Sequence, residues 1–312
     1  MAFFIANDIH GNKPLLQGVV NAIESKMAEG DILLVNGDGA GARGPRMNEV
    51  IKIYYEVRRG ETAFENLLTA IETIIGEKPV IPENWVFNSV HGGVFRKIVA
   101  EHYPAFNACL EEELRQVLEE TLRPLAVAAE KGKKTIIYVP GNGEIVPSDL
   151  SIEDISTEQA LPPEQRFYQR LAKEGYFDTF GIHYVPYAEY VNEGVAVIST
   201  NLLDLNFKDA LNVLNEKISG RPLKNIIVHY PPKISPLGGM FSFWKPNTVD
   251  AVRSRLLNRI LAELNLDEAT VYFGHIHLGV SDPKMRPYPA LMMFQTPSYN
   301  YAWVKPGTVI KI

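Results

Sequence analysis

Five short polar runs in the sequence combine residue types that bind divalent metal ions, and each follows an apolar stretch. In an extended chain the side chains of residues i and i+2 point the same way, so Asp8 and His10 can address one point. His275 and His277 repeat this spacing. Together the runs supply two carboxylates, one amide oxygen and four imidazoles, from Asp8, Asp38, Asn142, His10, His229, His275 and His277.

This donor set exceeds what one ion takes and fits two ions if one carboxylate bridges them. Two divalent ions about 3.5–4 Å apart can hold the attacking and leaving oxygens of a displacement at phosphorus, and they lower the pKa of a bound water. Oxygen and nitrogen donors without thiolate suit Mn, Fe, Zn or Ni and do not choose among them. The single cysteine, Cys109, excludes a thiolate cluster and an intramolecular disulfide and favours a reducing compartment.

Each candidate also has an ordinary structural explanation. A single histidine at a strand end is more often hydrogen-bonded within the fold than bound to metal, and Gly-Asp is common in turns. The joint pattern is stronger, because four of the seven histidines fall at predicted strand ends beside two aspartates and an asparagine. The other three histidines lack such neighbours, and we assign structural roles to His91, His102 and His183.

Short β-branched runs that alternate with amphipathic stretches must position these residues. A helix expected over 14–28 makes a strand–helix–strand unit of the first segment, and open α/β sheets keep their sites at strand ends. The pattern therefore predicts an α/β fold, with the last three strands forming an antiparallel portion. The predicted strands are 3–7, 31–36, 135–139, 195–199, 225–228, 270–273, 290–295, 301–304 and 308–312.

A helical insertion is expected over 46–134, within a single domain spanning 1–312. We expect it to act as a lid over the metal cleft; the alternative is an added packing layer or a dimer surface, which leaves a homo-oligomer open. A lesser helix is expected between 156 and 175. The signals in the insertion are apolar periodicity over 47–54, 64–75 and 110–122, a capping box at Thr62 and Glu65, a stop at Gly76, and an end or kink at Pro124.

Charge and hydropathy narrow the classes of partner. The 31 Lys and Arg against 37 Asp and Glu leave a net charge of −6, which argues against a chain held to nucleic acid or membrane by bulk charge. No window holds eighteen consecutive apolar residues, and the short apolar run before Asp8 is typical of a strand rather than a signal peptide. We therefore expect a cytoplasmic protein with no membrane segment.

The order and type of the motifs resemble the five-part signature of the calcineurin-like metallophosphoesterases. The runs that carry the resemblance are Asp8-Ile9-His10-Gly11-Asn12, Gly37-Asp38, Gly141-Asn142, His229 and Gly274-His275-Ile276-His277, with Arg43-Gly44-Pro45 similar to the dinucleoside-tetraphosphatase-like and protein-phosphatase-like members. The resemblance spans 3–45 and 135–312. It implies a four-layer αββα sandwich, in which two mixed sheets are flanked by helices, with the helical segment as an insertion.

The resemblance also implies roles for these residues. Asp38 would bridge two divalent ions, and a hydroxide between the ions would attack phosphorus. Arg43 would bind phosphate, although its loop is one residue longer than usual and a solvated loop arginine is the alternative; Asn12 is a further candidate catalytic residue. One ion would be held by Asp8, His10 and His277, and the other by Asn142, His229 and His275.

One departure from the family pattern bears on the substrate. The third motif usually reads Gly-Asn-His followed by an acid, and the histidine helps to protonate the leaving oxygen; here Gly143 stands in its place and only the acid, Glu144, remains. A general acid matters most for poor leaving groups. This favours a hydrolase of phosphodiesters, nucleotides or anhydrides over one of simple monoesters, with His91 or His102 as a conceivable substitute acid that no spacing supports.

Three functional classes are compatible with this fold, and they differ in catalysis and in the molecule they bind. The first is a phosphoesterase acting on a small phosphorylated substrate of nucleotide type. The second is a binding or scaffold protein with the same fold and weak catalysis. A nuclease is disfavoured because the insertion lacks a basic stripe interleaved with aromatic residues.

Overall fold

The computed structural model describes residues 1–40, 44–81, 91–142, 166–232, 249–264, 266, 268–275, 290–295 and 299–312. The chain divides into two compact units. Among the described residues the first unit holds 1–40, 118–142 and those from 166 onward, and the second holds 44–117.

Eleven strands are present in the described residues, and all belong to the first unit. They are β1 (Phe3–Asn7), β2 (Ile32–Asn36), β3 (Thr135–Val139), β4 (Ile182–Tyr184), β5 (Ala188–Asn192), β6 (Val195–Ile198), β7 (Asn225–Val228), β8 (Thr270–Phe273), β9 (Leu291–Gln295), β10 (Asn300–Val304) and β11 (Val309–Lys311). One sheet has the order β11-β1-β2-β3-β4, and the other has the order β5-β6-β7-β8-β10-β9. Both sheets are mixed, because β11, β5 and β9 pair antiparallel at the edges while the inner pairs are parallel.

Eight helices lie in the described residues. They are α1 (Lys13–Lys26), α2 (Pro45–Arg58), α3 (Phe64–Ile75), α4 (His91–Glu101), α5 (Tyr103–Lys131), α6 (Phe167–Lys173), α7 (Phe207–Lys217) and α8 (Val249–Glu263). Among the residues described, no helix is both long and apolar enough to cross a bilayer.

The two sheets of the first unit share a core. Alternate side chains of each strand point into one buried cluster, as strand geometry requires. Full burial of a valine, leucine, isoleucine or phenylalanine side chain contributes about 1.5–3 kcal/mol to the free energy of folding. The cluster comprises Phe3, Ile5, Ile32, Leu34, Ile137 and Val139 from one sheet and Val195, Val197, Ile227, Tyr272, Ala302 and Val304 from the other.

Helices cover the outer faces of both sheets. Leu214 of α7 and Leu257 of α8 pack in a second cluster against Phe273 and Trp303. On the other sheet, Ile136 points away from the shared core and lines a cavity with residues of α5. The expected α/β sandwich of two mixed sheets flanked by helices is thereby confirmed.

The second unit is helical. Tyr54 of α2 stacks on Phe95 of α4, with ring centroids 4.9 Å apart. The buried carboxylate of Glu113 accepts hydrogen bonds from the backbone and side chain of Arg46 at 2.8 and 3.1 Å, which satisfies a free amide at the start of α2. Burial and the charge of Glu113 raise the pKa of the Cys109 thiol to about 11, so this thiol stays protonated at neutral pH.

Three local expectations are wrong. A helix end at Pro124, one of the two outcomes predicted there, is contradicted: the helix continues to Lys131, because the buried stripe of Leu118, Leu122, Leu125 and Ala128 continues through it and outweighs one lost hydrogen bond. A kink at Pro124 stays a prediction. The capping box at Thr62 and Glu65 does not form: α3 begins one residue later with Ala63 at its N-cap, and Thr62 instead accepts from Asn66.

The third error concerns the strand list, because the sequence pattern predicted neither β4 nor β5. The β4 strand is only three residues long, Ile-His-Tyr. The β5 strand alternates weakly and ends in a turn at Glu193 and Gly194, both with positive φ. Gly76, the predicted stop of α3, does adopt the left-handed conformation, with φ of +82°. Of the lesser helix expected between 156 and 175, the described part is α6, and the lid role of 46–134 stays a prediction.

Candidate metal centre

Five strands of the two sheets end at one place, and a candidate ligand follows each. Asp8 and His229 come directly after β1 and β7, and His275 comes two residues after β8. Asp38 likewise comes two residues after β2, and Asn142 comes three residues after β3. Because neighbouring parallel strands end at the same sheet edge, the topology itself gathers these side chains.

Three donor atoms converge on one point. The Asn142 Oδ1 lies 2.7 Å from His229 Nε2 and 2.8 Å from His275 Nδ1. The two imidazole nitrogens are 3.3 Å apart, and Asp38 Oδ2 lies 3.6 Å from His229 Nε2. Asp38, His229 and His275 thus offer ligand atoms that all lie within 4.8 Å of one another.

A second group shares one residue with the first. His10 Nε2 lies 3.9 Å from Asp8 Oδ1 and 3.8 Å from Asp38 Oδ2. Asp38 Oδ2 is therefore within reach of both groups. The Asp8 carboxylate is held in place by the backbone amide of His275, which donates to both of its oxygens at 3.1 and 3.2 Å.

The donor set fits divalent ions. Ligand atoms about 2.0–2.2 Å from one ion lie about 3.0–3.5 Å from one another in tetrahedral or octahedral geometry. The distances of 2.7–3.6 Å in the group around Asn142 span these edges, and those of 3.8 and 3.9 Å around His10 are longer. Buried carboxylates are costly without compensating charge, and Asp8 and Asp38 are 0% and 3% exposed.

One buried nitrogen supports the same interpretation. His229 directs Nε2 at the other donors, while its Nδ1 is buried, 4.0 Å from Asp8 Oδ1, and has no hydrogen-bond partner among the residues that the structure describes. A neutral imidazole that offers Nε2 as a ligand carries its proton on Nδ1, so the nearby carboxylate stabilises this tautomer.

The backbone is strained where the ligands sit. Asp8, His10, Asp38 and His275 have φ values of +52°, +53°, +47° and +64°. The left-handed region costs a non-glycine residue about 1–2 kcal/mol and persists where the surroundings enforce it. Hydrogen bonds between the strand-end loops enforce it here: the Asp8 amide donates to Gly37 O at 3.1 Å, and the His10 amide donates to Asp38 O at 2.6 Å.

Glycines precede three of the ligands because there is no room for a side chain. A Cβ on Gly37 would lie 2.1 Å from His229 Nδ1. A Cβ on Gly141 or Gly274 would lie 2.5 Å from the carboxylate oxygens of Asp38 and Asp8 respectively. The Gly-Asp, Gly-Asn and Gly-His spacing of the sequence thus follows from close packing of the site.

Two buried asparagines beneath the site were not predicted. Asn36 Nδ2 donates to Val228 O at 2.8 Å and so ties β2 of one sheet to β7 of the other. Asn7 is its neighbour in the register, and the buried Asn7 amide has no hydrogen-bond partner within the described part of the chain. An asparagine ending each of two otherwise apolar strands is the sequence signal that could have drawn attention to them.

The remaining predicted residues are placed as follows. Arg43, Gly143, Glu144 and His277 lie outside the described residues. Asn12 caps α1, since its Oδ1 accepts from the Leu15 amide at 3.1 Å, which is a structural role; its catalytic role stays a prediction.

Of the three histidines predicted to have structural roles, two have side chains that the structure describes. His183 lies 2.6 Å from Glu189, outside the cluster, and this hydrogen bond raises the pKa of His183. His102 is in neither of the two donor groups found among the described residues, and its backbone amide donates to Ile98 O at 3.0 Å. The side chain of His91 lies outside the described set.

No protein-family model and no curated protein matches the chain. One solved crystal structure aligns over 99% of this chain and 94% of its own, with 14% sequence identity and a TM-score of 0.44. That similarity is too low to support an inference about function.

Proposed function

We propose that this protein is a metal-dependent hydrolase of phosphoric esters that uses two divalent ions. The observation that carries the proposal is the convergence of Asp8, His10, Asp38, Asn142, His229 and His275, with one oxygen of Asp38 within reach of both groups. A carboxylate shared between two groups of oxygen and nitrogen donors is the arrangement expected of a dinuclear centre. His277 is the seventh proposed ligand.

The chain's own residues would supply position and charge. When bound, two divalent ions would lower the pKa of a water and neutralise charge on phosphate oxygens. Asp8 and Asp38 would hold the ions at the carboxyl ends of β1 and β2, and the imidazoles would keep them at the mouth of the sheet sandwich. The donor types favour Mn, Fe, Zn or Ni.

The proposed substrate is a small phosphodiester or nucleotide rather than a simple monoester. This rests on Gly143, which leaves the third motif without the histidine that would protonate a leaving oxygen. Loss of a general acid costs about 10²–10⁴-fold for poor leaving groups and little for good ones. Arg43 is the proposed phosphate-binding residue. A cytoplasmic location follows from the single reduced cysteine and is part of the proposal.

Gly143 also favours a second candidate, a binding or scaffold protein of the same fold with little turnover. The scaffold would keep the fold with little turnover, and it would not need to bind both metal ions. A scaffold has no need of a complete ligand set, so the convergence of six donors favours the enzyme.

The test combines metal content with hydrolysis. Wild type and the variants Asp38→Asn and His229→Ala are assayed with Mn²⁺ against bis-nitrophenyl phosphate, nitrophenyl phosphate and a dinucleoside polyphosphate. His183→Ala is the matched control, because it removes an imidazole that lies outside the cluster.

We expect the diester to be hydrolysed well above the monoester, and Asp38→Asn and His229→Ala to lose metal and activity while His183→Ala keeps both. A wild type that binds two ions and hydrolyses none of the substrates would favour the scaffold. A wild type that binds no divalent ion would refute the dinuclear hydrolase.

A further inference from the structure

Tyr230 joins the two central histidines to a buried ion pair. It directly follows His229, is fully buried, and packs its ring against His275 with centroids 4.4 Å apart and planes tilted by 38°. The same ring meets His229 edge-on, with centroids 5.6 Å apart at 87°. The Tyr230 ring is thus in contact with both imidazole rings.

The far end of Tyr230 is fixed by charge. Arg253 of α8 donates from Nη1 to the Tyr230 hydroxyl at 2.9 Å. Its Nε and Nη2 donate to the two carboxylate oxygens of Asp204 at 2.6 and 2.9 Å, and Arg166 Nη1 approaches the same carboxylate at 2.7 Å. A bidentate guanidinium–carboxylate pair fixes its plane as well as its distance.

Burial makes this network rigid. Arg253 and Arg166 are 4% and 3% exposed, so neither can exchange its partners for water without exposing a buried charge. The chain of contacts from Asp204 through Arg253 and Tyr230 therefore ends on the face of the His275 ring.

We propose that Tyr230 is a positioning residue that sets the orientation of His275, and through it the geometry of the proposed metal centre, with Arg253 and Asp204 holding its hydroxyl. The inference rests on the proposed function. Residues that orient ligands of a metal typically change its affinity by about 10–100-fold when altered. The competing explanation is that Tyr230 only fills the apolar cluster in which Leu257 and Ile260 also lie.

The variant Tyr230→Phe separates the two explanations, because it keeps the ring and its packing and removes the hydroxyl that Arg253 holds. Arg253→Lys keeps the charge and removes the bidentate pair. Tyr190→Phe is the matched control: its hydroxyl accepts from the Gly194 amide at 2.9 Å, and Tyr190 lies on β5, a strand that carries none of the proposed ligands.

Three quantities are measured on the full chain. They are the Mn²⁺ affinity by calorimetry, the imidazole resonances of His229 and His275 in the metal-free protein, and the urea midpoint of unfolding. We expect Tyr230→Phe and Arg253→Lys to weaken Mn²⁺ binding about tenfold or more and to move the His275 resonances before any metal is added. Tyr190→Phe should stay within about twofold of wild type in affinity.

Two results separate failure of this inference from failure of the proposed function. If Tyr230→Phe binds Mn²⁺ as tightly as wild type and its His275 resonances do not move, Tyr230 is a packing residue and the inference is wrong. If wild type takes up no Mn²⁺, the proposed function is wrong, and the His275 resonances of the metal-free variants then decide the positioning role alone.

Discussion

The absence of a side chain at Gly37 is the feature whose removal should damage the site most sharply. Gly37 has a φ of +74°, and a Cβ there would lie 2.1, 2.6 and 2.8 Å from three ring atoms of His229. Gly30 offers a matched comparison: its φ is +80°, and a Cβ there would meet nothing within 4 Å. Gly37→Ala and Gly30→Ala therefore share the backbone strain, and only the first has the overlap.

The magnitude follows from these distances. Left-handed backbone costs alanine about 1–2 kcal/mol in either variant. At Gly37 a normal contact of about 3.5 Å requires the nearest ring atom of His229, which would be 2.1 Å away, to retreat by about 1.4 Å. That retreat breaks the 2.7 Å approach of His229 Nε2 to Asn142 Oδ1 and adds about 1–3 kcal/mol of overpacking. Changes to the groups that orient a metal ligand typically alter metal affinity by about 10–100-fold.

The assay compares the two variants in urea unfolding without metal and in Mn²⁺ titration. We expect Gly30→Ala to lose about 1–2 kcal/mol of stability and to bind Mn²⁺ like wild type, and Gly37→Ala to lose more stability and about 10–100-fold in Mn²⁺ affinity. Equal Mn²⁺ affinity in the two variants would refute the packing argument, because the overlap would then have been relieved without moving His229.

Three further predictions concern the rest of the fold. Glu113→Gln should cost the second unit about 1–3 kcal/mol, since a buried carboxylate that accepts from Arg46 and from the start of α2 is lost; amide exchange of α2 measures it. Glu189 raises the pKa of His183, so the pair should stabilise the fold below about pH 6.5 and lose that effect as pH rises through the folded pKa. Both side chains are partly exposed, and the Glu189→Gln difference in urea midpoint, measured across pH 5.5–8.5, should therefore be well under about 1 kcal/mol. Burial alone would raise the pKa of Asp31, but two backbone amides that donate to it hold the pKa below its usual value. Its stabilisation should be present above about pH 4 and fade as pH falls through the folded pKa, so Asp31→Asn should flatten the acid arm of the stability curve; an unchanged arm would contradict this.

Much of the first unit could be predicted from the sequence because its signals are local. Strands such as 135–139 and 270–273 are short, β-branched and bounded by polar residues, and the structure reproduces both. The ends of these strands carry the ligands, so a correct strand list already gathers most of the site. The three-residue β4 carries too little pattern to be recognised.

The features that sequence reasoning missed depend on contacts between distant residues. Nothing local indicates that Asn36 ties two sheets through Val228 O, 192 residues further along the chain. The same holds for Tyr230, whose partner Arg253 lies on a separate helix. Pro124 misled in the opposite way, because its local tendency to end a helix is outweighed by burial on both sides.

The most direct test of the central claim is anomalous X-ray scattering from crystals of the wild-type protein grown with Mn²⁺. A dinuclear centre at Asp38 predicts two anomalous peaks, both within bonding distance of the Asp38 carboxylate. One should lie beside His10, and the other beside His229 and His275. A single peak remote from Asp38, or no peak at saturating Mn²⁺, would contradict the dinuclear centre on which the proposed hydrolase rests.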